Sequence, residues 1–140
     1  MRIDSKIIAV DFDGTICDDA YPKIGRAKMF AFETLKKLQQ DGHRLILWTY
    51  RHGETLQDAV DFCRKNGVEF YAVNHSFEGE TFNPEKASRK LNADYFIDDR
   101  NLGGFPGWGE VYRIINEKIE FTIEDHSQPK PSRKKGLFGF

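Results

Sequence analysis

Four carboxylates directly follow two short apolar runs of the sequence. They are Asp11, Asp13, Asp98 and Asp99. The runs, Ile7–Val10 and Tyr95–Ile97, are of a length typical of strands buried on both faces. If these strands are neighbours, their axes lie about 4.8 Å apart and the carboxylates crowd one small volume. Such crowding opposes ionisation unless a cation offsets it, and Mg²⁺, which prefers oxygen ligands, is a suitable cation.

Further groups at the strand ends suit a bound phosphate. Thr49 offers a hydroxyl after the apolar run Leu45–Trp48. Backbone N–H groups after Asp11 can form an anion-binding concavity, and Gly14 permits a tight turn there. A single aspartate after a strand is about as often a turn residue or a helix cap. That interpretation does not explain two pairs, both at strand ends.

The elements that position these residues follow from hydrophobic periodicity. Strands are predicted for four apolar runs, at residues 7–10, 45–48, 70–73 and 95–97. Helices are predicted in four stretches: from about Arg26 to a stop at Gly42, from about Leu56 to a stop at Gly67, after a cap at Asn83, and around Val111–Ile115. Alternating strands and helices favour an α/β fold, a three-layer, doubly wound parallel sheet of the Rossmann-like kind. The alternation of apolar residues over Ile119–Ile123 predicts an edge strand.

The segment between Asp11 and the first predicted helix is longer than most strand-to-helix connections. It spans about 14 residues, whereas two to six are usual. Its glycines, aspartates and proline suit turns or a small hairpin. A second glycine-rich segment, Gly103–Gly109, lacks the spacing of a phosphate loop and is predicted to be a turn with aromatic anchors.

Composition predicts one cytoplasmic domain. The chain has 140 residues, 39% apolar and 31% charged, with no apolar run long enough to span a membrane and no secretory signal. The net charge of -1 favours neither a nucleic-acid nor a membrane partner. We expect a domain at 1–124 and a flexible basic tail at 125–140. The two cysteines, Cys17 and Cys63, are expected to be reduced thiols.

The order of the motifs resembles the haloacid dehalogenase superfamily. Its first motif is a strand followed by Asp-x-Asp-Gly-Thr, which Asp11–Thr15 matches. Its second is an apolar strand ending in Thr or Ser, matched at Thr49, and its last is a strand ending in paired acids, matched at Asp98 and Asp99. The remaining motif is one lysine before the last strand. All four motifs occur in order between residues 7 and 99.

The resemblance implies a magnesium-dependent phosphatase. Asp11 would attack phosphorus and form an aspartyl-phosphate, and Asp13 would act as general acid and then as general base. Thr49 would hold a phosphate oxygen. Mg²⁺ would bind the Asp11 carboxylate, the Asp13 carbonyl and Asp99, with Asp98 behind it. The alternative of Asp98 as the direct ligand stays open.

The lysine implied by the resemblance is Lys86 or Lys90. A helix after a strand of a parallel sheet begins at the edge where the strand ends meet and runs away from it. Lys86 lies in the first turn after Asn83, and Lys90 lies about 6 Å further along the axis. This geometry favours Lys86, and a shorter helix would favour Lys90.

The resemblance also concerns the size of the site. Many relatives insert a cap domain after the first or the third strand, and neither connection here is long enough for a folded cap. The site is therefore expected to be open, so that it takes a large phosphorylated substrate, or a small one enclosed by a second copy in a homo-oligomer. Residues that could line the rim are Arg51, His52, Asn74, His75 and Arg100.

Two other functions compete with hydrolysis. A phosphorylation-dependent signalling module can have the same kind of fold, but it carries its phosphate on an aspartate after the third strand, where this sequence has Asn74. A non-catalytic phosphate-binding module would keep the site without turnover. The presence of Asp11, Asp13 and Thr49 favours hydrolysis over either.

Overall fold

The computed structural model of the protein describes the backbone of residues 5–75 and 91–124, and side chains as far as residue 117. Its elements in chain order are β1 (Ile7–Val10), α1 (Ala31–Gln40), β2 (Arg44–Leu47), α2 (Gly53–Lys65), β3 (Ala72–Val73), β4 (Tyr95–Ile97) and α3 (Trp108–Glu124). Several predicted features lie outside the described residues: the helix after Asn83, the lysines Lys86 and Lys90, and the tail at 125–140.

The four strands form one all-parallel sheet in the order β3-β2-β1-β4, flanked by helices. The chain moves outward from β1 to β2 and β3, and β4 then pairs on the other side of β1. Val10 is in register with Leu47 on one side and with Ile97 on the other. The residues after β1 and β4 are therefore level with each other, where the strand order reverses and ligands commonly bind.

Burial explains why the apolar runs form the inner strands. Residues Ile8, Val10, Leu45, Ile46 and Leu47 have no exposed surface, as expected for strands covered on both faces. Residues of α1, α2 and α3 pack in one core cluster with one face of β1 and β2. Ala9 and Ile46 belong to a smaller cluster with Ala72 and Leu91. The strands therefore have apolar contacts on two sides.

The predicted helix stops at Gly42 and Gly67 are confirmed. These glycines have φ angles of 97° and 91°, a conformation that side-chain-bearing residues rarely adopt. Their N–H groups donate to carbonyls of the last turn, those of Gln39 and Arg64. In the part of the chain that the structure describes, no helix combines the length and the apolarity of a membrane span.

The prediction that the first helix begins near Arg26 is wrong, because α1 begins at Ala31. The preceding residues instead form the small hairpin that the composition suggested. The Asp18 N–H donates to the Arg26 carbonyl over 2.8 Å, and the Lys28 N–H donates to the Ile16 carbonyl over 2.8 Å. The connection after β1 is thus longer than predicted, and its Ile16 and Cys17 side chains are fully buried in the core.

The prediction of an edge strand over Ile119–Ile123 is also wrong. These residues lie within α3, which continues to Glu124. No glycine or proline interrupts the sequence from residue 110 to residue 124, so the helix has no local stop signal. Local alternation of apolar residues does not override that continuity.

The glycine-rich segment before α3 is a turn with aromatic anchors, as predicted. Gly103, Gly104 and Gly107 all have positive φ angles. The Phe105 and Trp108 rings meet edge to face, with centroids 5.7 Å apart. The buried Trp108 indole N–H donates to the Thr15 carbonyl over 2.7 Å. This bond ties the start of α3 to the loop after β1.

Both cysteines are free, as predicted, and both are buried. Burial raises the pKa of Cys17 to about 11 and the pKa of Cys63 to about 12. A buried thiol that keeps its proton at neutral pH is unreactive. Both residues therefore serve the core rather than chemistry.

Candidate functional site

Three carboxylates meet at the carboxyl ends of β1 and β4. Asp11 follows β1 and its N–H donates to the Ile97 carbonyl of β4 over 2.9 Å. Asp98 and Asp99 follow β4. Carboxylate oxygens of Asp11, Asp98 and Asp99 all lie within 4.8 Å of one another. The structure thus brings together three of the four acids that the sequence analysis expected to crowd one volume.

A buried hydroxyl holds two of these carboxylates. The Thr15 hydroxyl lies 3.0 Å from Asp11 Oδ2 and 3.1 Å from Asp99 Oδ1, and it accepts a hydrogen bond from the Asp99 N–H over 3.0 Å. One hydroxyl has one proton, so it donates to one carboxylate at a time. Thr15 belongs to the Asp-x-Asp-Gly-Thr motif, but the sequence predicted no role for it. Its role here is to set the spacing between Asp11 and Asp99.

Gly14 makes this spacing possible for two independent reasons. Its φ angle is 86°, in the left-handed region. A Cβ atom at this position would lie 2.5 Å from Asp99 Oδ2, which is too close for a real contact. Any side chain at residue 14 would therefore strain the turn and displace Asp99.

Crowding shifts the protonation of the cluster. Burial, the charge of Asp98 and a hydrogen bond with Asp99 raise the pKa of Asp11 from 3.8 to about 7. For Asp99, burial alone would raise the pKa, but hydrogen bonds with Asp11 and Thr15 outweigh it and lower the pKa. Asp11 is therefore partly protonated near neutral pH. Three oxygen donors this close suit a hard divalent cation, which would relieve the same repulsion.

The fourth acid, Asp13, is bound by a buried arginine instead. Arg51 Nε donates to Asp13 Oδ2 and Arg51 Nη2 donates to Asp13 Oδ1, both over 2.8 Å. The arginine side chain has no exposed surface. Two parallel bonds of this kind fix both the position and the plane of the carboxylate.

Arg51 has further partners that account for its burial. Its remaining N–H groups donate to the carbonyls of Pro22, Lys23 and Thr55 over 2.7 to 3.1 Å. All five N–H donors are therefore satisfied. The guanidinium carbon also lies 5.1 Å from the centre of the Phe12 ring. The prediction that Arg51 lines the rim is wrong, because this buried residue links Asp13 to the loop after β1 and to the first turn of α2.

Thr49 lies at the end of β2, supported from the neighbouring strand. The Asn74 side-chain oxygen accepts from the Thr49 N–H over 2.8 Å, and Asn74 adopts a φ angle of 57°. The Thr49 hydroxyl accepts from the Arg51 N–H over 3.2 Å. Its own proton can therefore point to a ligand. Asn74, predicted at the rim, acts as a support for Thr49.

A cavity of about 630 Å³ opens over these groups. The described residues that line it are Asp11, Asp13, Asp19, Tyr21, Trp48, Thr49, Tyr50, Asp98 and Arg100. Of the predicted rim residues, Arg100 belongs to this set, whereas the exposed His52 and His75 do not. The three aromatic residues and Asp19 were not predicted. Trp48 and Tyr50 flank Thr49, and Asp19 and Tyr21 lie in the long loop after β1. These positions could have indicated that the four residues line the site.

The Arg51–Asp13 pair generates a stability prediction. We expect Arg51→Met to lower the free energy of unfolding by about 3–5 kcal/mol, because it leaves the Asp13 carboxylate without its partner. Arg64→Met is the matched control, since Arg64 forms two ion pairs while more than half exposed, and it should cost about 1 kcal/mol or less. Urea unfolding measures both. Similar losses in the two variants would contradict the account of Arg51.

The crowded cluster generates a pH prediction. Because the pKa of Asp11 is about 7 when folded and near 3.8 when unfolded, the folded state binds more protons between these values. The contribution of Asp11 to stability should therefore fall as pH rises from about 4 to about 7. We expect the melting temperature of the wild type, minus that of Asp11→Asn, to fall across this range in EDTA and to fall less with excess Mg²⁺. A flat or rising difference in EDTA would contradict the assignment.

Comparisons with known proteins give one informative likeness. No protein-family model and no curated protein matches the chain. A solved structure, that of the conserved protein coded by locus from Bacteroides thetaiotaomicron, is 54% identical in sequence and superposes with a TM-score of 0.78. The match covers 85% of this chain and 96% of that one. The chain therefore belongs to the same family as this conserved Bacteroides thetaiotaomicron protein.

Proposed function

We propose that this protein is a magnesium-dependent phosphomonoester hydrolase of the haloacid dehalogenase superfamily, with a three-layer, doubly wound core and no cap domain. The observation that carries the proposal is the convergence of Asp11, Asp98 and Asp99 within 4.8 Å of one another. Asp11 and Asp98 open on the same cavity as Thr49. A nucleophile, a cation site and a phosphate-binding hydroxyl are thus available to one substrate.

The proposed reaction has two steps. In the first, an Asp11 oxygen forms a bond to phosphorus, the ester P–O bond breaks, and the leaving oxygen takes a proton from Asp13. In the second, water attacks the aspartyl-phosphate, its proton passes to Asp13, and the bond to Asp11 breaks to release phosphate. Thr49 donates its hydroxyl proton to a phosphoryl oxygen in both steps.

The Arg51 contact sets a condition on the first step. Arg51 is a donor only, and both oxygens of Asp13 accept from it. A protonated Asp13 would have to give up one of these bonds. Proton delivery to the leaving oxygen therefore requires the pair to open partly, whereas the closed pair suits Asp13 as the base that activates water.

The cation site consists of oxygen donors. Asp99 and the Asp11 carboxylate would hold Mg²⁺ with the Asp13 carbonyl, and Asp98 would support them. When bound, Mg²⁺ would offset the negative charge of the carboxylates and of the transferring phosphoryl group. Asp98 borders the cavity, while Asp99 lies against Gly14 and Thr15. Separate asparagine variants of the two acids would show which is the direct ligand.

The phosphate-site lysine is assigned to Lys86, with Lys90 as the alternative.

One structural detail favours hydrolysis over a signalling module. The residue after β3 is Asn74, whose amide supports Thr49. An amide cannot serve as the phosphate acceptor that such modules have at this strand end. The carboxylate best placed to accept a phosphoryl group is Asp11, beside the cation cluster.

The proposal predicts Mg²⁺-dependent phosphate release that depends on two named acids. The wild type should release phosphate from one or more members of a broad panel of phosphomonoesters. Asp11→Asn should reduce the rate to background, since it removes the nucleophile. Asp13→Asn should lower kcat by about 100- to 10,000-fold, since it removes the general acid and base. Exhaustive chelation should abolish activity, and Mg²⁺ should restore it.

A matched control comes from the same loop. Asp18 is mostly exposed and pairs with Lys28 outside the cavity, so Asp18→Asn should keep wild-type activity. Equal activity in the wild type, Asp11→Asn and Asp13→Asn would refute the proposal. So would activity that survives chelation, or the absence of release from every substrate.

A further inference from the structure

Two exposed tyrosines stand at the mouth of the cavity. Tyr50 directly follows Thr49 and is 86% exposed, and Tyr21, from the loop after β1, is 44% exposed. Both line the cavity that contains Asp11 and Thr49. Their rings meet edge to face with centroids 6.2 Å apart. We call this pair the tyrosine wall.

The folded core does not account for the tyrosine wall. A side chain as exposed as Tyr50 gains little from burial, so packing does not explain a large aromatic ring at this position. Single exposed aromatics are common on protein surfaces. Two that contact each other at an interplanar angle of 70° beside this cavity form an apolar corner, in which a planar ring can stack on one tyrosine and meet the other edge to face.

Tyr21, one of the two rings of the tyrosine wall, is also held in place before any ligand arrives. The Arg51 guanidinium lies 5.2 Å from the centre of the Tyr21 ring. The same arginine binds the carbonyls of Pro22 and Lys23, the next two residues of the loop, over 3.1 and 2.7 Å. Arg51 itself is buried and fully bonded. Ring and loop are thereby preorganised, which lowers the entropic cost of binding.

Charge limits what else the ligand can carry. The described lining includes the carboxylates of Asp11, Asp19 and Asp98, with Asp13 already paired to Arg51, against one exposed guanidinium, that of Arg100. A cation at the Asp11 cluster can offset one phosphate group. Additional phosphates or acidic side chains would meet carboxylates, which disfavours polyanionic ligands. A neutral, flat group is what the rest of the cavity suits.

We propose that the substrate is a monophosphate ester whose alcohol portion carries a planar aromatic ring, and that this ring packs into the corner between the two tyrosines, stacked on Tyr50 and edge to face with Tyr21. The proposal rests on the proposed function, because the phosphate is placed at Asp11 and Thr49. A nucleobase and the ring of an aryl phosphate offer the same chemistry, and the experiment separates them.

The test compares substrates with and without a ring. AMP and ribose 5-phosphate share the same primary phosphate ester. Phosphotyrosine paired with phosphoserine represents an aryl source, and because a phenolate leaves phosphorus more readily than an alkoxide, only the change of preference caused by Tyr50→Ala counts for this second pair. Stacking of a base on an aromatic side chain strengthens binding by roughly 5- to 150-fold. We expect the wild type to favour the ring-bearing member of at least one pair in kcat/KM. Tyr50→Ala should reduce that preference about tenfold, and Tyr50→Phe should retain it.

Leu102→Ala is the control, since Leu102 is a fully exposed apolar residue that does not line the cavity, and it should leave the ratio unchanged. Equal kcat/KM values within both pairs would overturn the proposal, as would a ratio that Tyr50→Ala does not change. If no phosphate is released from any compound, the proposed hydrolysis fails. The ring proposal is then decided by binding, measured from the fluorescence of Trp48 in the cavity. AMP or phosphotyrosine binding more tightly than its ring-free partner supports it, and equal binding refutes it.

Discussion

Two parallel strands, β1 and β4, pair side by side and end level with each other, and each is followed at once by carboxylates. The register of Val10 with Ile97 places Asp11 beside Asp98. The carboxylates are therefore close enough to repel each other strongly. Other features of the site reduce this repulsion. Thr15 bonds to both Asp11 and Asp99, Gly14 leaves room for the second, and the pKa of Asp11 rises to about 7. The proposed divalent cation would offset the charge that these contacts leave.

The charge of the fourth acid, Asp13, is offset by an ion pair. Asp13 lies two residues from Asp11 but pairs with the buried Arg51, so its charge is offset from within the protein. In the proposed reaction this division would separate two roles: Asp11 would bind the cation and accept the phosphoryl group, and Asp13 would transfer protons. The same guanidinium contacts the Tyr21 ring. The orientations of Asp13 and of the Tyr21 ring therefore both depend on the buried Arg51 side chain.

The features that local sequence determines were predictable. Apolar runs identified all four strands. Because the carboxyl ends of parallel strands meet at one edge, the sequence also predicted that Asp11, Asp13, Asp98 and Asp99 would be brought together, and all but Asp13 join the cluster. Features set by distant contacts were not. Nothing around Arg51 indicates burial, because its carbonyl partners come from Pro22, Lys23 and Thr55. The start of α1 was misplaced because Arg26 and Lys28 belong to the hairpin, where they bond to Asp18 and Ile16. The segment Ile119–Ile123 is helical because α3 continues through it.

The central claim is that Asp11 becomes phosphorylated during turnover, and chemical trapping tests it most directly. Protein mixed with Mg²⁺ and its best substrate is quenched in acid, reduced with borohydride and digested for mass spectrometry. Borohydride converts an aspartyl-phosphate to homoserine, so the account predicts homoserine at residue 11, dependent on substrate and absent from Asp11→Asn. Phosphate release by the wild type with unmodified Asp11, or with homoserine at another aspartate, would contradict the account.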